Sequence, residues 1–275
     1  MNAHQETMKH EPELAQHATF VHYIAPAGLV LAVGAAGTAV LAGLGHRWGW
    51  WYFMTGFSLL RIGAVIGLAA AVVSLLGGLL ARHEHYRNAY LVASVGIVIG
   101  LITAGIPGAW MQAAKRMPAI HDISTDMVNP PEFHAIMPLR ANAENPAEYG
   151  GPSVAMKQTA AYPDIHPLVL AMPPASAFDR SLATARDMGW QIVSSDLRDG
   201  TIEAIATTFW FGFKDDVIVR VSALPGGSRV DIRSVSRVGG SDIGTNAKRI
   251  RSFMHKMESA GNSAGGNAGG YSVGY

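Results

Sequence analysis

The residues with the most chemistry lie near the C-terminal end of the chain. Between Arg229 and Lys256 stand seven basic residues, Arg229, Arg233, Arg237, Lys248, Arg249, Arg251 and Lys256, against two acids, Asp231 and Asp242. Backbone amides at a helix start, helped by bidentate guanidinium forks, hold phosphate or carboxylate groups. Arg233, Ser234, Arg237, Ser241, Asp242, Asn246 and Arg249 therefore form a candidate binding set for an anionic lipid or small ligand. A structural reading uses the same residues. Asp242 stands where an N-cap belongs and Gly239-Gly240 supplies a tight turn. Arg233 and Arg237 can then pair with Asp215, Asp216 or Asp242, fastening strand, turn and helix together.

Other chemistry is sparse. The chain has no cysteine, which removes disulfides, thiolate catalysis and cysteine-based zinc or iron sites. His121, His134 and His166 are not spaced like a zinc site, and His83 with His85 falls in a membrane loop. There is no G-x-S-x-G elbow, no phosphate-binding loop and no dinucleotide fingerprint. Catalytic residues are thus unknown, no metal or cofactor is expected, and an unrecognised hydrolase is the last of three functional readings. From Arg116 onward 15 Lys and Arg face 16 Asp and Glu, a balance that argues against nucleic acid as a partner. The aromatic turn Phe209-Trp210-Phe211-Gly212-Phe213 is expected in core or interdomain packing; the alternative is an apolar lip that dips into the bilayer or closes over a ligand.

Three long apolar runs precede all of this, at about 24–44, 57–80 and 89–111. Each matches the roughly 20 residues a helix needs to cross hydrocarbon. They carry a single charge, Arg61, close enough to the start of the second run to snorkel to the headgroups. Residues 1–23 form a polar segment with three glutamates against Lys9 alone, so the first span is expected to be retained rather than cleaved as a signal peptide. Trp48-Gly49-Trp50-Trp51-Tyr52-Phe53 reads as an interfacial anchor. Ala39 and Gly43, Gly63 and Gly67, and Gly96 and Gly100 repeat at the four-residue spacing that lets helix backbones approach. Lys9, Arg82 and Arg87 on one side balance Arg47, Lys115 and Arg116 on the other, so basic residues do not decide orientation.

Ten prolines make residues 114–174 read as an extended, irregular segment, pinned by Ile120-His121-Asp122-Ile123 and Tyr162-Pro163-Asp164-Ile165. Regular pattern occupies 175–258. A helix is expected from a Ser176 N-cap to Gly189, then strands at 190–196, 201–208, 216–223 and 229–236 joined by Asp199-Gly200 and Pro225-Gly226-Gly227. A last helix places Ile243, Ala247, Ile250, Met254 and Met257 on one stripe. The fold class is α+β: three transmembrane helices, then an α-β-β-β-β-α domain whose antiparallel four-stranded sheet is covered by two helices. Residues 259–275, rich in Gly, Ser and Asn, are expected to be flexible.

Phe213-Lys214-Asp215-Asp216, Arg233-Ser234-Val235-Ser236-Arg237-Val238-Gly239 and Ser241-Asp242-Ile243-Gly244-Thr245-Asn246 resemble the family known as domain of unknown function 1499 over about His121 to Met257. The name assigns no reaction. Relatives carry export signals or lipid anchors and plant members are plastid proteins, so the resemblance implies an envelope-facing domain. Some have a Cys near the domain start that this chain lacks. The resulting expectation is a bacterial inner-membrane protein with its C-terminal domain in the periplasm, embedded in lipid and binding a protein partner or scaffolding a complex; binding of an anionic lipid or small ligand is the alternative.

Overall fold

The computed structural model describes residues 3–80 and 87–265, which fall into two compact units. His83 and His85 and the tail beyond residue 265 lie outside the described residues.

The first unit comprises residues 1–115 together with Trp210–Gly212. Its helices are α1 (Ala3–Arg47), α2 (Phe53–Leu80) and α3 (Arg87–Arg116). Three stretches, Tyr23–Arg47, Phe53–Leu80 and Asn88–Arg116, are long and apolar enough to span a membrane. α1 runs unbroken from Ala3, so the polar stretch ahead of the first candidate span, which begins at Tyr23, is helical from Ala3 on. Pro107 lies inside α3, which continues to Arg116.

Lipid tails are as apolar as leucine, so helices in a bilayer gain little by hiding large side chains from lipid and associate instead through close backbone packing. α2 follows this rule on two faces. Gly56, Gly63 and Gly77 lie against Ala42, Ala35 and Ala25 of α1, while Gly67 and Gly78 lie against Gly100 and Ala93 of α3. Its large residues point the other way, with Val65, Leu68 and Val72 all exposed. Ser74 is fully buried, and a Cβ added at either Gly28 of α1 or Gly96 of α3 would overlap its hydroxyl.

The second unit is built on a six-stranded antiparallel sheet rather than the four strands expected from sequence. In chain order the strands are β1 (Asp122–Ser124), β2 (Leu168–Leu170), β3 (Gln191–Asp196), β4 (Thr201–Thr207), β5 (Lys214–Leu224) and β6 (Gly227–Ser236). β3 to β6 form the anticipated meander. β5 and β6 pair from Asp215↔Ser236 to Leu224↔Gly227, which leaves Pro225 and Gly226 as turn residues. Gly226 has φ 80°, as the third position of a type II turn requires. The additional strands sit end to end along the outer side of β6, β1 against its C-terminal half and β2 against its N-terminal half. Each has three residues, too few for alternation to show, and a partner far away in sequence. At the opposite edge β3 is interrupted by a register shift between Ile192 and Ser194.

The proline-rich segment also holds more helix than expected. A short 3-10 helix spans Met137–Arg140 and α4 spans Gly151–Ala161. Proline breaks a helix in its interior but is tolerated in the first turn, whose N–H groups have no partner anyway. Pro152 occupies that first turn and Pro163 falls beyond the last. α5 (Pro174–Asp187) likewise begins with proline in its first turn, and no side chain, Ser176 included, caps it. Gly189, at φ 73°, ends it as read from sequence. α6 (Thr245–Gly265) buries Ala247, Ile250, Phe253 and Met257, whereas Ile243 precedes the helix and is exposed. The helix continues past Met257 into the stretch expected to be flexible.

The sheet is covered on both faces. On one, Ile202, Val217, Val219, Val230 and Ile232 pack with Phe178, Ala185, Ile250 and Phe253. The other carries Ile205, Ile218 and Val235 beneath Phe133 and Ile136 of the proline-rich segment. Two helices over one face is therefore half of the arrangement.

Filling the α2–α3 seam should separate those helices. A Cβ at Gly100 would overlap the Gly67 carbonyl, while Gly105 on the same helix has nothing within 4 Å. Gly100→Leu is expected to cost about 1–3 kcal/mol, as overpacking does, and Gly105→Leu to stay within about 0.5 kcal/mol. Unfolding in mild detergent followed by circular dichroism compares them; equal losses would place the seam elsewhere.

Candidate functional site

Neighbouring residues of a strand point to opposite faces of its sheet. Along β6 this divides the basic motif. Arg229, Asp231, Arg233, Val235 and Arg237 alternate with Val230, Ile232, Ser234 and Ser236, so the candidate binding residues do not share a face.

On the loop-covered face, Arg233 is the centre. It is 1% exposed and spends its fork on Asp122 of β1, with Nε to Oδ1 at 2.9 Å and Nη2 to Oδ2 at 2.7 Å. It also donates to the carbonyls of Pro131 at 3.0 Å and Ala147 at 2.6 Å. The Phe133 and Tyr149 rings lie 5.2 and 5.5 Å from its guanidinium carbon, in cation–π range. Beside it, Asp216 is fully buried and accepts from Arg140 and from Arg237, whose Nη2 lies 2.7 Å away. Arg140 and Arg237 reach onward to the carbonyls of Asn145, Pro146 and Leu139. Glu203 of β4, 4% exposed, accepts the backbone N–H groups of His134, Ala135 and Ile136, each at 2.9 Å. Arg140 and Arg237 thus pair with Asp216 and Arg233 with Asp122, while Glu203 is satisfied by backbone amides. A further neutral cluster joins Arg220 and Arg229 to Asp126 and Asp231.

The helix-covered face holds a second network. Asp242 caps α6, accepting from Asn246 N at 2.6 Å and from Gly244 N at 3.0 Å. Ile243 and Gly244 between them take φ of 51° and 78°. Asn246 is fully buried: its Oδ1 accepts from the Ser234 hydroxyl at 2.7 Å and from Arg249, and its amide donates to His121 O and Ser236 Oγ, both at 3.0 Å. Arg249 pairs with Asp215 at 2.5 Å. Ser241 donates to the Pro118 carbonyl at 3.1 Å.

Burial tunes several of these groups. It raises the Asp242 carboxyl above its ordinary range, with the nearby Asp215 charge acting in the same direction and the capping N–H bonds and Arg249 opposing. It raises Asp122 against the pull of Arg233 and lowers His121. Tyr149 is pushed up to about 12, first by burial and then by the Asp122 charge. Its hydroxyl is buried without a hydrogen-bond partner. Among the described residues no group of three or more His, Asp or Glu side chains is placed to hold a metal ion.

Residues 122–257 match the family model described as Protein of unknown function (DUF1499). That segment is a DUF1499 domain. The three apolar helices precede it. No curated protein and no solved structure matches the chain.

The family match begins at Asp122, the residue that Arg233 binds. Of the seven sequence-read candidates, Arg233 and Arg237 lie on one face, Ser234, Asn246 and Arg249 lie on the other beside the Asp242 cap, and Ser241 binds the Pro118 carbonyl. Asp216 pairs with Arg237, as the sequence suggested, but Asp215 takes Arg249, Arg233 takes Asp122, and Asp242 takes the helix start. Sequence reasoning missed Asp122, Arg140, Glu203 and Tyr149. A signal existed for two of them: Asp122 interrupts Ile120-His121-Asp122-Ile123, and Glu203 is the one carboxylate in the otherwise uncharged Thr201–Thr207. A lone charge in a buried strand requires a partner.

The two arginines should differ in cost. Arg233→Ala strands Asp122 and is expected to lose about 3–5 kcal/mol. Arg237→Ala leaves Asp216 with Arg140 and should lose less, about 1.5–3 kcal/mol, the scale of charged hydrogen bonds. Urea unfolding measures both, and equal costs would remove Arg233 from the centre of the network.

Asp242 gives a pH test. Its folded pKa is raised above the ordinary 3.8, so the stability it contributes in protonated form is present below that value and is lost as pH rises through the folded pKa. Asp242→Asn keeps a capping oxygen without the charge. Its stability relative to the parent should increase from pH 3 to 7; Asp242→Ala should lose about 1–2 kcal/mol at pH 3, where the cap is lost, and that loss should shrink toward pH 7 as the parent gives up the same pH-dependent contribution. A flat difference between parent and Asn variant would show that the buried charge carries no penalty.

Proposed function

We infer that this protein is a membrane-anchored envelope module that binds a protein partner or scaffolds a complex, with its DUF1499 domain on the periplasmic side of a bacterial inner membrane. One observation carries the reading. The residues with the chemistry to capture an anion are occupied internally: Arg233 by Asp122, Arg237 by Asp216, Arg249 by Asp215, and the amides at the start of α6 by Asp242. Such networks fix a framework whose work lies at its surface. A free phosphate or headgroup would have to displace a buried carboxylate already held by a guanidinium fork. An odd number of candidate spans supports placing residues from Arg116 onward across the membrane from the N-terminus.

Affinity purification of the intact protein in mild detergent, with mass spectrometry of retained proteins and lipids, tests this. A protein retained in stoichiometric amount, and lost when exposed side chains of the domain are exchanged, is the expected result. Retention of anionic lipid alone would favour the ligand reading. Alkaline phosphatase fused at Glu258 should be active; an inactive phosphatase with a fluorescent cytoplasmic reporter at the same site would reverse the orientation.

A further inference from the structure

The aromatic turn between β4 and β5 takes no part in either charge network. Its residues Trp210–Gly212 cluster with the membrane-spanning helices. The Trp210 indole N–H donates to the Val40 carbonyl at 3.0 Å. Val40 precedes the end of α1 by seven residues, which at 1.5 Å per residue is roughly 10 Å inside the helix terminus.

The helices provide room for these rings. At Gly43 of α1 a Cβ would overlap the Trp210 indole, and at Gly56 of α2 it would lie 2.9 Å from the Phe211 ring. Phe211 is 4% exposed, 5.2 Å from the Phe57 ring, and Trp210 meets Trp110 of α3 edge to face at 5.7 Å. Trp48, Trp50, Tyr52 and Trp110 stand exposed at the same end of the bundle. Rings of this type settle at the level of lipid headgroups. Phe209 is 87% exposed, and its Cα can be only about 3.8 Å from that of Trp210.

We propose that the 208–213 turn is a bilayer-inserting element, a further membrane attachment besides the three spans, in which Phe209 contacts phospholipid where headgroups meet acyl chains. Its occupant is lipid because the adjoining rings are seated in helices whose outward side chains already face the bilayer. A water-exposed phenylalanine would gain nothing at that position, whereas insertion removes its ring from water.

Because the chain has no cysteine, Phe209→Cys provides a unique attachment point for a spin label. The labelled full-length protein is reconstituted into phosphatidylcholine–phosphatidylglycerol vesicles, and collisions with oxygen are compared with those with a water-soluble nickel chelate. Val65→Cys, 66% exposed on α2, gives the hydrocarbon reference. At 209 oxygen collisions should exceed nickel collisions, at a depth shallower than Val65. Adding Gly43→Leu, which fills the Trp210 socket, should raise nickel access at 209 several-fold. Dominant nickel collisions in the parent background would overturn the proposal, and so would low access to both reagents, which would mean that protein covers Phe209. Neither result depends on whether a protein partner is retained in detergent.

Discussion

A guanidinium removed almost completely from water organises the DUF1499 domain. Arg233 is 1% exposed, and a charge in that position is tolerable only when its N–H groups are satisfied. It meets the condition by drawing in three separate stretches of chain: Asp122 from β1, and the carbonyls of Pro131 and Ala147 from the proline-rich segment. Asp216 and Glu203 extend the arrangement, the first through Arg140 and Arg237, the second by gathering three successive backbone amides. A segment with little regular structure is thereby held as a defined layer over the sheet. Its own apolar contribution there is small, chiefly Phe133 and Ile136, so the charge network sets its position while the helix-covered face supplies most of the hydrophobic burial.

The elements legible in the sequence were those whose physics is local. Three apolar runs, the β3 to β6 meander with Gly200 and Gly226 in its turns, the end of α5 at Gly189 and the cap at Asp242 all follow from periodicity or from single residues with restricted backbone preferences. β1 and β2 were not legible because three residues carry no alternation and exist as strands only when β6 is beside them. α4 was hidden by prolines that flank it instead of breaking it. The candidate site was legible in composition but not in geometry. Reading 233 to 249 as one cluster overlooked the two-residue period of the strand, which sends Arg233 and Ser234 in opposite directions.

The two units apply different solvent physics to the same problem of close packing. In the sheet unit large apolar side chains fill the interior, with Trp190 stacked on Phe253 at 5.5 Å. In the helical unit small residues occupy the seams and large ones face outward, as expected where the surroundings are as apolar as the interior. Glycine consequently has two distinct uses in this chain. At Gly226 it supplies a positive φ, and at Gly67 and Gly100 it allows backbone to approach backbone.

The pairing of β1 with β6 has a consequence for biosynthesis. Asp122 and Arg233 are separated by 111 residues, so the aspartate emerges during synthesis well before the arginine that neutralises it. Contacts this distant in sequence form late and slowly. During that interval β1, the proline-rich segment and β2 have no β6 to join. Because β6 pairs with β1 and β2 on one side and with β5 on the other, the sheet cannot be completed until synthesis has passed Ser236.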